Sequence, residues 1–332
     1  MSTPLDTPSF FSVALSTWRA VNAPYTRAGR DDALPDGIVK LSIKAIAGAR
    51  SADTLGGERE GTGVVIDASG LILTVGYLVI EAGSILAMAP DGRVHPATVI
   101  GFDHASGFGL LRASPGVAKQ PLKFGDSSRL KALQTVRIAA HESAGGVTSA
   151  CVSSRRRFTG WWEYMIDEAI FTAPPRGEHS GAALLDDDGS LLGIASLWVS
   201  DTLATGVAFP GNMFIPINLL KPILDDLIVH GRRQAPTRPW LGIYTEDIEG
   251  HVVVTRTLPD GPADRSGVRR GDIILGVAGH SIGRQSEFYE CLWASGEAGD
   301  DVTLHILHDK KVKHLVLYSA DRTDYFKPWM VR

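Results

Sequence analysis

Residues 61–79 read GTGVVIDASGLILTVGYLV. Two apolar runs, Gly63–Asp67 and Leu71–Val75, flank the turn-forming triplet Ala68-Ser69-Gly70, so the stretch reads as a β-hairpin. Short β-like runs broken by similar turn chemistry, at Asp91-Gly92 and Asp187-Asp188-Gly189, continue in both directions. They comprise residues 38–46, 84–89, 94–101 and 109–112, then 135–140, 148–153, 169–173, 182–185, 191–197 and 207–210. About a dozen such runs at this spacing predict an antiparallel barrel or sandwich.

The chain has 332 residues, which at roughly 150 per domain suggests two domains. Its 36 glycines and 18 prolines amount to about one residue in six, against roughly one in eight on average, and argue for many tight turns. With 33 basic against 37 acidic residues and no basic run longer than Arg155-Arg156-Arg157, nucleic acid is a poor partner. Cys151 and Cys291 lie far apart and read as free thiols, and no cofactor motif or metal-ligand spacing is present. The opening MSTPLDTPSFFSVALSTWRAV lacks a basic start with a long apolar core, and no later run is long and apolar enough for a membrane span. The default compartment is therefore the cytoplasm, or the periplasm by an export route without a visible signal.

Residues 8–21 carry Phe11, Leu15, Trp18 and Val21 at helical spacing and begin an N-terminal segment, 1–36. The β-rich unit runs over 37–231 and closes with INLLKPILDDLIVHG, an apolar helical stripe with Gly231 as its C-cap. Residues 232–239, basic and proline-containing, read as a linker. Residues 240–320 alternate five strand-like runs with two short helices, near 263–266 and 286–294, as a small α+β module, and 321–332 form a tail.

Five blocks in order, GTGVVIDASGLILTVGYLV, VIGFDHASGFGLLRA, RGEHSGAALLDDDGSLLGIASL, WLGI and PADRSGVRRGDIILGVAGHSI, resemble the HtrA/DegP family over about residues 37–320. The resemblance implies a mainly β fold: a chymotrypsin-like double β-barrel of six strands each, followed by an α+β PDZ domain. It also implies a serine peptidase in which a serine attacks, a histidine takes its proton and an aspartate orients the imidazole. In the matching segments Tyr77 stands at the histidine position and Gly107 at the aspartate position, while Ser180 is kept. A phenol with pKa near ~10 is a poor base at neutral pH compared with an imidazole near ~6.5. In Gly177-Glu178-His179-Ser180, Glu178 stands where the oxyanion-hole glycine is expected, and a local bulge would bring Gly177 there instead. A carboxylate about 5 Å from the developing charge opposes it by roughly 3 kcal/mol at an effective dielectric of ~20.

The expected product of this reading is a pseudoprotease. The alternative is a working endopeptidase in which Ser180 uses a non-standard base; His179, His104 and His141 are the histidines to weigh. His179 adjoins the serine on an extended chain and so points elsewhere, and the other two read as solvated loop residues. The PDZ resemblance centres on Trp240-Leu241-Gly242-Ile243, whose backbone amides would take a peptide's C-terminal carboxylate while the strand from Ile243 pairs with the ligand. The helix with Phe288, Tyr289, Leu292 and Trp293 would wall that groove. Partners implied are peptides or unfolded-protein C-termini, in a chaperone-like or quality-control role, with a homotrimer through Phe10, Phe11 and Trp18. Residues 153–169, with Trp161 and Trp162, fall where the family has a regulatory loop, and PGNMF reads as an extra turn carrying Met213 and Phe214.

Overall fold

A computed structural model describes residues 33–141 and 146–326. The proposed N-terminal helix with Phe10, Phe11 and Trp18 lies outside them. Six antiparallel strands close a first barrel in the order β1-β2-β3-β6-β5-β4: β1 (Ile38–Ala45), β2 (Glu58–Val65), β3 (Leu71–Val75), β4 (Ala82–Met88), β5 (Val94–Phe102) and β6 (Phe108–Ala113). A second barrel closes as β10-β11-β12-β9-β8-β7, from β7 (Thr135–Ala139), β8 (Val147–Gly160), β9 (Tyr164–Ala173), β10 (Ala183–Leu185), β11 (Leu191–Val199) and β12 (Gly211–Pro216). Closure pairs every edge, which explains how so many short apolar runs coexist without an exposed strand ladder.

The hairpin that opened the reading is present, with Val64 opposite Leu73 and Val65 opposite Ile72. All five residues of β3 are buried, because one face meets the barrel core and the other the inter-barrel packing. Three expectations need correction. The run at 207–210 is no strand; the last strand is β12, and Met213 and Phe214 sit fully buried in it rather than on an extra turn. Gly211 is required there because a Cβ would lie 1.9 Å from the Thr172 carbonyl oxygen, so it marks strand contact and not a bend. Residues 153–169 form most of the long β8–β9 hairpin, not a loop, turning at Trp161-Trp162-Glu163. The closing helix is shorter than its apolar stripe, α3 (Leu224–His230) in the numbering where α1 is Ala52–Leu55 and α2 is Gly76–Val79; Gly231 caps it with φ 73° as expected.

The second unit is a sheet of β13 (Ile243–Ile248), β14 (His251–Thr257), β15 (Ile273–Val277), β17 (Asp301–His308) and β18 (Lys311–Tyr318), with β16 (His280–Ser281) beside β15. Helices α4 (Pro262–Arg265) and α5 (Gln285–Ala294) complete it, and β13 is an edge strand. Trp240 and Ala320 exchange two backbone hydrogen bonds, 3.1 and 3.0 Å, so the two ends of this module lie side by side.

The linker is strapped down. Arg233 grips Asp103 through Nη2 and Nε at 2.8 and 3.2 Å, Arg232 pairs with Asp321 at 3.2 Å, and Arg238 lies over the Trp293 ring at 4.3 Å. After Ala320, Asp321 caps the helical turn α6 (Arg322–Tyr325), and Arg322 Nη1 donates to the Trp162 carbonyl at 3.2 Å.

Candidate functional site

Ser180 lies in the β9–β10 connection and is fixed by its backbone: its carbonyl accepts from Thr62 N at 2.8 Å. Gly181 (φ 78°) must be glycine, since a Cβ would meet the Thr62 carbonyl at 2.1 Å. Tyr77 reaches the serine from α2, where its hydroxyl oxygen lies 2.7 Å from Ser180 Oγ and 3.0 Å from the Ser196 carbonyl oxygen. A carbonyl only accepts, so two protons satisfy the three groups: Tyr77 donates to Ser196 and Ser180 donates to Tyr77. Desolvation pushes the Tyr77 pKa up to about 12 although the bond to Ser180 pulls it down. At pH 7 roughly one molecule in 10⁵ would carry the phenolate.

Arg59, a residue to which sequence reasoning assigned no role, holds α2 in place. It is 5% exposed and donates to the carbonyls of Tyr77 (3.1 Å), Ile80 (2.6 Å) and Gly56 (3.0 Å) and to Ser51 Oγ (2.8 Å). Burial lowers the Arg59 pKa against the pull of the Glu81 carboxylate, which accepts from Ser51 N at 2.7 Å. An Arg and a Glu spaced across one turn-rich stretch gave no signal distinct from surface charge.

Gly107 has φ 84° in a tight turn whose amide donates to the Asp103 carbonyl at 2.7 Å. In front of it stands Tyr164, from β9 of the other barrel, with its hydroxyl donating to the Ser106 carbonyl at 2.8 Å. A Cβ at Gly107 would lie 2.6 Å from the Tyr164 hydroxyl oxygen. The space for an orienting carboxylate is thus occupied by a phenol whose pKa burial pushes far up.

Gly177 and Glu178 are exposed. The Gly177 carbonyl folds back on His179, 3.2 Å from its amide and 2.8 Å from its Nδ1. Because the peptide is planar and trans, the Glu178 N–H faces the opposite way. His179 therefore spends one ring nitrogen on its own loop, and desolvation lowers its pKa. The other two histidines correct the expectation of solvated loops. His141 is 7% exposed. His104 has an enclosed Nε2 and packs between Phe102 (4.4 Å) and Phe326 (6.0 Å). Burial lowers both pKa values, that of His104 well below the usual imidazole range. A cavity of about 280 Å³ opens beside Tyr77, walled by Gly107, Trp162, Tyr164, Tyr325 and Phe326.

The second site residues, Trp240, Leu241, Gly242 and Ile243, form the expected loop, with Gly242 at φ 74°. Trp240, Leu241 and Ile243 are buried. The loop is occupied. The Glu163 carboxylate, from the β8–β9 turn, accepts from Leu241 N (3.0 Å) and Ile243 N (2.8 Å). Next to it, Thr245 N on the edge strand β13 donates to the Trp161 carbonyl at 2.9 Å. On the helix side, the Tyr289 hydroxyl donates to the Gly160 carbonyl at 2.8 Å and accepts from Glu163 N at 3.0 Å. Phe288, Tyr289 and Leu292 of α5 are fully buried in the module core, leaving Trp293 only partly covered.

The fold and both sites define a class. Residues 61–194 match the trypsin-like peptidase domain family and residues 239–317 the PDZ domain family. Along the chain, then, a trypsin-like peptidase domain is followed by a PDZ domain. It is 27% identical over 289 residues to the serine protease Do-like HtrA of Bacillus subtilis, covering 79% of this chain and 63% of that one. It is 30% identical over 295 residues to a probable periplasmic serine protease do/HhoA-like of Haemophilus influenzae, covering 81% and 61%. The chain thus spans about three fifths of the length of these curated relatives. Solved structures agree on the fold: the HtrA-type protease AlgW with tripeptide (TM-score 0.51, 20% identity, 90% of this chain and 95% of that chain) and the serine endoprotease from Yersinia pestis (TM-score 0.52, 21%, 95% and 99%). Among the described residues no helix is long and apolar enough to cross a membrane, and no cluster of His, Cys, Asp and Glu has metal-binding geometry.

Proposed function

We propose that this HtrA-type protein does not hydrolyse peptides and acts as a peptide-binding scaffold through its PDZ domain. The observation that carries the reading is the 2.7 Å contact between the Tyr77 hydroxyl and Ser180 Oγ. Acyl transfer needs a group that accepts the serine proton and becomes a cation stabilised by a nearby carboxylate. A phenol that keeps its proton up to about pH 12 does not accept one at neutral pH. Its neighbour Gly107 offers no carboxylate, and Tyr164 fills that space.

Peptide binding is supported by the state of the PDZ loop, whose amides already hold a carboxylate, that of Glu163. Amides arranged to hold one carboxylate are arranged to hold another.

The test uses the purified protein with a fluorophosphonate probe and a casein digestion assay, and Ser180→Ala as control. The expected result is neither labelling nor digestion. Stoichiometric labelling of Ser180, or digestion abolished by Ser180→Ala, overturns the reading and reinstates a working endopeptidase.

A further inference from the structure

A PDZ ligand meets three demands at once: a carboxylate for the loop amides, a carbonyl for the edge strand, and contact with the facing helix. The turn Gly160–Glu163 meets each from within the same chain. Its carboxylate sits on Leu241 N and Ile243 N, its Trp161 carbonyl takes Thr245 N, and its Gly160 carbonyl takes the Tyr289 hydroxyl. We infer that the β8–β9 turn is a built-in competitor for the PDZ groove, with Glu163 standing in for a peptide's terminal carboxylate, and that an outside peptide binds by displacing it. The inference rests on the peptide-binding reading above and adds its regulation.

Three observations favour displacement over a permanent seal. Glu163 adopts φ 54°, a left-handed conformation that a side chain adopts only at a cost of about 1–2 kcal/mol. Its carboxylate is almost wholly removed from water (5% exposed), and the guanidinium of Arg322 that favours its charge bonds to the Trp162 carbonyl and makes no hydrogen bond to it among the described residues. The turn also supplies a single backbone bond to β13, through Thr245, where a peptide strand forms a ladder of them. The turn has the advantage of being tethered, which gives it a high effective concentration. A free peptide makes the better set of contacts. Apparent affinity then falls by the fraction of molecules whose groove is open.

The full chain, its Glu163→Gln variant and its Glu163→Ala variant are titrated by fluorescence polarisation with a decapeptide that has an apolar last residue and a free carboxylate. The same peptide with an amidated end is the control. Hydrogen exchange of the Leu241 and Ile243 amides is followed in parallel. The expected result is at least about tenfold tighter binding of the free-acid peptide by both variants, weak binding of the amidated one, and amides that exchange faster in the variants until peptide is added. Equal affinity for all three proteins, with peptide bound, overturns the competitor and leaves the peptide reading intact. Binding by none of them overturns the peptide reading, and the competitor falls with it. Glu163→Gln preserves side-chain volume, so a folding failure confined to Glu163→Ala does not decide the matter; the Gln variant does.

Discussion

Tyr164 and Gly107 exclude each other's alternatives: the tyrosine hydroxyl stands 2.6 Å from where a Cβ on residue 107 would be, and the two come from different barrels. The absence of a side chain at residue 107 is therefore built into the packing between the barrels.

It follows that putting a carboxylate back is costly. Gly107→Asp meets the Tyr164 hydroxyl and Ile215 Cδ1 at 3.2 Å, and forces a non-glycine residue to φ 84°. Urea unfolding should show a loss of about 2–4 kcal/mol. Adding Tyr164→Phe should return part of it, because the hydroxyl goes and the backbone strain stays. Full stability of Gly107→Asp alone would contradict this packing account.

Restoring the base should fail for the same reason. Tyr77→His paired with Gly107→Asp should give no measurable casein digestion, since the imidazole would lack an orienting partner while Tyr164 remains. Turnover abolished by a further Ser180→Ala would show that the blocked space is not decisive.

Tyr77→Phe removes the hydroxyl that Ser180 Oγ and the Ser196 carbonyl share. The expected cost is about 1–2 kcal/mol in a denaturant titration. Arg59→Met should cost more, about 3–5 kcal/mol, because it unties the carbonyls of Tyr77, Ile80 and Gly56 together. The reverse order would mean that α2 is not held by Arg59.

Much of this was legible in the chain itself. Leu71–Val75 could be read as a strand because it is a short apolar run between turn signals, and Tyr77, Gly107 and Ser180 could be located from the motifs around them. What escaped was set by distance in sequence. Glu163 and Leu241 are 78 residues apart, and nothing in WWEYM announces that its one charge will be buried in another domain. Pro210-Gly211-Asn212 looks like a turn because glycine is ambiguous: there it serves close strand approach, which only the neighbouring Thr172 carbonyl reveals. Tyr164 lies within the stretch 153–169, which reads as a regulatory loop, and only the packing of the two barrels brings it to Gly107.

The paired ends of the PDZ module, Trp240 against Ala320, carry an implication for how such a chain arises and diversifies. A unit that is entered and left at the same point can be cut out, exchanged or transplanted without dragging its host apart. Its orientation on the host is then a separately inherited property, written in a few side chains such as Glu163, Arg233 and Arg322, and free to drift even while both folds stay fixed.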